Sequence, residues 1–128
     1  MYKLYLLDAL LGLATAQAEQ QNFNEARATL ERLQTKHPGF KPNEADLLRA
    51  RTLEGCGDPQ AALQAYEALL PLYVGLEARY RHALLLKKMG HTVQARSALE
   101  AMQDHARKHR VSHDGELAWL NLAKKELG

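Results

Sequence analysis

Hydrophobic positions along this chain group into seven stretches separated by short breaks rich in Gly, Asn and Pro. The pattern predicts helices over about 3–20, 25–36, 44–55, 59–73, 76–89, 93–109 and 114–127. Gln20-Gln21-Asn22 makes the first turn, with Asn24 placed to cap the second helix, and His37-Pro38-Gly39 ends that helix. Asn43, followed three residues later by Asp46, opens the third helix, and Gly55-Cys56-Gly57 closes it. Asp58-Pro59 combines a capping carboxylate with a first-turn proline. Gly75 and Gly90 end the fourth and fifth helices, Thr92 caps the sixth, and Ser112 or Asp114 starts the last.

Overlaid on this pattern is a repeat. Asn22-Phe23-Asn24-Glu25-Ala26, Gly57-Asp58-Pro59-Gln60-Ala61-Ala62 and Gly90-His91-Thr92-Val93-Gln94-Ala95 align on Ala26, Ala62 and Ala95, spaced by 36 and 33 residues. Four residues beyond each alanine stands a large apolar group, Leu30, Tyr66 or Leu99, and three further on Leu33, Leu69 or Met102. Ala14, Ala50 and Ala83 share a position twelve residues before the aligned alanine. Two antiparallel helices approach closely only where small residues face the contact and large neighbours fill the grooves beside it. One such pair cannot bury its apolar face alone, so neighbouring pairs must share a core.

This pattern resembles the tetratricopeptide repeat family over about residues 5–107. Leu13-Ala14, Phe23, Ala26, Leu30 and Pro38 match in the first unit; Gly57, Ala62 and Tyr66 in the second; Ala83, Gly90, Ala95 and Leu99 in the third. The resemblance implies an all-α, right-handed α-solenoid of three helix–turn–helix repeats, about 5–38, 42–75 and 76–109, plus a capping helix at about 113–127, in one domain. It also implies a concave groove lined by the first helix of each repeat. The family's groove positions fall on Asp8, Leu11, Thr15 and Glu19, then Leu47, Arg51 and Glu54, then Tyr80, Leu84, Lys87 and Lys88. Leu11, Leu47, Tyr80 and Leu84 would anchor apolar groups, while Arg51, Lys87 and Lys88 would hold a carboxylate. Leu47 and Leu84 serve equally well as core residues. Thr15 stands where family members that clamp chaperone C-termini carry Asn, so that partner class is not expected.

Composition agrees with helices: only three Val, five Thr and no Ile favour strands. A net charge of +2 implies neither nucleic acid nor membrane, although residues 76–128 carry ten Lys/Arg against six Asp/Glu and five of the six His. The single Cys56 excludes an internal disulfide framework and fits a reducing compartment such as the cytoplasm. A soluble domain of a larger, membrane-anchored protein is the alternative. Leu4 to Leu13 with Ala16-Gln17-Ala18 imitates a secretory signal, but Asp8 interrupts it and the stretch is in register with the repeats. There is no run of the ~20 apolar residues that a membrane-crossing helix needs.

No phosphate loop, nucleophile elbow or His-Glu-x-x-His motif is present, and neither catalysis nor a cofactor is expected. Cys56 has no base or orienting partner in its neighbourhood of sequence. His105, His109 and His113 recur every four residues, so a metal-binding regulatory domain centred on His105 and His109 is the alternative function. Arg107-Lys108-His109-Arg110 is a short basic run without interleaved aromatics, which fits a solvated helix end better than a nucleic-acid contact. Trp119 is expected to seal the last repeat. The expected partner is a protein or peptide. Leu4, Leu6, Leu7, Leu10 and Leu11 on the first helix also provide a route to self-association.

Overall fold

A computed structural model describes residues 2–38, 43–72, 75–110 and 114–128. The elements are α1 (Tyr2–Glu19), α2 (Phe23–Lys36), α3 (Asn43–Gly55), α4 (Pro59–Leu69), a 3-10 turn (Leu70–Leu72), α5 (Glu77–Lys88), α6 (Thr92–Lys108) and α7 (Asp114–Leu127), and no strand occurs among the described residues. They form two compact units, Met1–Ala65 and Tyr66–Gly128.

The three hairpin turns are built alike. Asn22, Asp58 and His91 each donate a backbone N–H to the carbonyl five residues back, on Gln17, Leu53 and Leu86, at 2.8, 3.1 and 2.9 Å. The residue before each is left-handed, with φ of 64° at Gln21, 83° at Gly57 and 86° at Gly90. This is the Schellman arrangement, which satisfies the last carbonyls of one helix while reversing the chain. The carbonyls of Asn22, Asp58 and His91 then accept from Ala26, Ala62 and Ala95. The aligned alanines therefore occupy equivalent places, and all three are buried, as are Ala14, Ala50 and Ala83. The large residues following them, from Leu30 to Met102, are buried too.

Three boundaries differ from expectation. α4 stops at Leu69, because Pro71 lacks the N–H that would continue the ladder and its ring crowds the preceding turn. Asn24 and Thr92 lie inside α2 and α6, with Asn22 and His91 at the N-cap and no side-chain capping bond at either. Asp58 caps as anticipated, its Oδ1 accepting from the Ala61 N–H at 3.2 Å. His113 and Ser112 lie outside the described residues.

In the first unit α1 packs on α2, and α3 packs on both. Ala14, Ala18, Ala26, Leu30 and Leu48 form one buried cluster, and Leu7, Leu10 and Leu33 a second. The Phe23 ring lies so closely over Gly55 that a β-carbon there would strike it. In the second unit α5 packs on α6, and α7 against both. Leu76, Tyr80, Ala83, Leu99, Met102, Ala106 and Ala123 make one continuous core, lined by Leu84, Ala98, Trp119, Leu120 and Leu127.

Candidate binding surface

The expected groove residues have distinct surroundings in the first unit. Leu11, half-buried on α1, packs against the alanine-rich cluster. One helical turn further on, the Thr15 hydroxyl donates to the Leu11 carbonyl at 2.8 Å. This bond satisfies its proton locally, and the side chain is half-buried. Asp8, within the same helix, and Glu19, at its C-terminal end, are exposed. On α3, Leu47 is 7% exposed and belongs to the core, whereas Arg51 and Glu54 are half-buried. Spacings of four and three residues put Leu47, Arg51 and Glu54 along one face of α3. The accessible chemistry of this surface is thus one apolar side chain, one hydroxyl, a guanidinium and three carboxylates.

In the second unit, α7 engages the corresponding residues of α5. Tyr80 is 8% exposed and its ring lies 5.7 Å from that of Trp119. The Arg81 guanidinium stands 5.4 Å over the Trp119 ring and pairs with Glu77 at 2.8 Å. Lys87 donates to Glu126 on α7 at 2.7 Å, and that hydrogen bond, reinforced by the carboxylate's charge, raises the Lys87 pKa above 10.5. Burial raises the Tyr80 hydroxyl above 10.0, with the Glu126 charge adding to it and Lys87 and Arg81 opposing it. Leu84 is partly buried against the core, and Lys88 is exposed.

Two further groups escaped the sequence reading. Glu116 on α7 accepts the Leu76 backbone N–H at 2.6 Å, so its carboxylate sits at the N-terminus of α5, where an anion is favoured. No local pattern marks it, because its partner lies 40 residues away. His82 on α5 has Nε2 3.8 Å from Glu67; burial lowers its pKa below 6.5, outweighing the opposing effect of Glu67, and the Arg79 charge lowers it further. Burial pushes the Arg79 guanidinium below its ordinary range, and it donates to the Leu70 carbonyl at 3.4 Å.

The His105 and His109 rings lie 4.2 Å apart on α6. No group of three or more His, Cys, Asp or Glu suited to a metal occurs among the described residues. Cys56 is half-buried in its turn. No described helix is long and apolar enough to cross a membrane.

A family model for the tetratricopeptide repeat matches residues 8–39 and 77–106, which are the α1–α2 and α5–α6 hairpins. These two hairpins are tetratricopeptide repeats. No curated protein sequence matches it. Among solved structures it is similar to PcrH in complex with the chaperone binding region of PopB, at 16% identity and a TM-score of 0.79, covering 94% of this chain and 93% of that one. The type III secretion translocator chaperone SycD of Yersinia enterocolitica is similar at 16% identity and a TM-score of 0.79, with 94% and 80% covered. SycD in complex with a peptide of the translocator YopD aligns at 15% identity and a TM-score of 0.68, with 96% and 95% covered. At these identities the likeness speaks for the helical-repeat fold.

Proposed function

We propose that this protein is a non-catalytic binding module that docks a segment of a partner protein on the faces of its first helices. The observation that carries the reading is the fold, shared with PcrH and SycD, whose structures hold binding regions or peptides of PopB, PopD and YopD. In the first unit the docking residues are Leu11 and Thr15 on α1 with Arg51 and Glu54 on α3. Leu11 offers apolar contact and Arg51 a two-pronged donor for a carboxylate. In the second unit Leu84, Lys87 and Lys88 are the accessible members, Lys87 through an exposed pair with Glu126, while α7 covers Tyr80. The sequence carries no phosphate loop, nucleophile elbow or His-Glu-x-x-His motif, which supports the non-catalytic reading. A single cysteine suits work in the cytoplasm.

The test is capture of partners from a lysate of the source cell with wild type, Leu11→Glu and Arg51→Glu. Loss of the same proteins from both variants is expected. An unchanged set would remove the α1–α3 surface from consideration. A second reading, self-association through α1, is favoured by Leu13, which is 44% exposed. Light scattering on wild type and Leu13→Glu distinguishes it, because only that reading expects the mass to change.

A further inference from the structure

A cleft of about 410 Å³ lies between the C-terminal end of α6 and α7, lined by Gln103, Ala106, Arg107, Arg110, Leu120 and Lys124. It shares no residue with the docking surface above. We propose that it receives an acidic, leucine-bearing segment of a partner protein.

Charge is the first argument. Among the described residues, three of the six that line it are cationic and none is acidic. Arg107 is tied to Asp104, but neither Arg110 nor Lys124 makes an ion pair with a described residue. The carbonyl end of α6 accounts for cations on that helix. Lys124, in the last turn of α7, stands likewise at a carbonyl end and enters the same cleft from a second helix. Two unpaired cations on opposite walls suit carboxylates approaching from outside.

The floor is the second argument. Ala106 is 5% exposed and Leu120 is partly buried, both packed in the core of the unit. A branched apolar side chain entering between the cations would therefore lose its water against aliphatic carbon. The Gln103 amide, on the same wall, can both donate to and accept from a peptide backbone. No aromatic ring among the described residues lines the cleft to stack a base, so an acidic peptide fits it better than a nucleic-acid strand.

The experiment titrates the whole chain with a short synthetic peptide alternating leucine with aspartate and glutamate. Its controls are the same peptide with lysine replacing every acid, and a single-stranded oligothymidylate. Binding is followed by calorimetry and by amide chemical shifts. We expect the acidic peptide to bind, to shift the amides of Ala106, Leu120 and Lys124, and to weaken several-fold as salt is raised. Arg110→Glu combined with Lys124→Glu should weaken it at least tenfold, with circular dichroism unchanged because both side chains are exposed. Arg110→Lys should retain most of the binding. Equal binding of the lysine peptide, no binding at millimolar concentration, an unchanged affinity in the double variant, or shifts confined to α1 and α3 would each overturn the proposal. Tighter binding of the oligothymidylate than of the acidic peptide would overturn it in favour of nucleic acid.

Discussion

The two units use the same hairpin but hold their third helix by different means. In the first, Leu48 of α3 joins alanines of α1 and α2, and the apolar interior is split between this alanine-rich cluster and a separate leucine one. In the second, α7 is tied to its hairpin by one continuous core together with the Tyr80–Trp119–Arg81 stack, the Glu116 bond to the Leu76 N–H and the Lys87–Glu126 pair. The difference bears on function. Polar groups on the face of α3 remain partly accessible, whereas the matching face of α5 is largely committed to its own cap helix.

Trp119→Ala would test that contrast most severely. Removing the large ring that bridges α5 and α7 should cost about 3 kcal/mol. Denaturant unfolding measures the loss, and hydrogen exchange should localise it to α5, α6 and α7. Equal loss of protection in α1 and α2 would contradict the division. Next in size is Gly55→Ala in the first unit, where a β-carbon would strike the Phe23 ring. Overpacking of this kind costs about 1–3 kcal/mol. Combining it with Phe23→Leu should recover part of the stability, since the smaller side chain can move aside.

The turns provide a finer comparison. Gln21 holds the left-handed position that Gly57 and Gly90 hold in the other hairpins, so its β-carbon is strained there. Gln21→Gly should stabilise by roughly 0.5–1 kcal/mol, and Gly90→Ala should destabilise by about as much. Thermal melts of both variants check the opposite signs. The smallest effect is one of pH. His82 has a lower pKa folded than unfolded, whose ordinary value is 6.5, so the unfolded chain takes up its proton first on acidification. Stability from this group is complete above that value and declines as pH falls through the window beneath it. His82→Asn should flatten the slope of melting temperature between pH 7 and 5; an unchanged slope would assign it to other groups.

Much of the fold was legible because repeat packing is written in side-chain size. Ala26, Ala62 and Ala95, with Ala14, Ala50 and Ala83, mark positions where only a small group fits, and each proves buried at the equivalent place in its hairpin. The proposed docking residues were less legible, since a helix face does not announce which neighbour covers it. Leu47 and Leu84 were equally consistent with surface and core, and only packing separates the buried Leu47 from the partly accessible Leu84. Lys87 looked like an unpaired cation until Glu126, 39 residues on, came within 2.7 Å.

From the sequence alone came the helices, the hairpin period, the turn positions and the small–large code of the interior, all of which depend on residues a few places apart. Tertiary structure decided where α4 gives way to a 3-10 turn, which carboxylate occupies the N-terminus of α5, which groove residues keep contact with water, and that cations from two helices share one cleft. Those outcomes depend on groups distant in the chain whose charges and volumes meet only after the helices have packed.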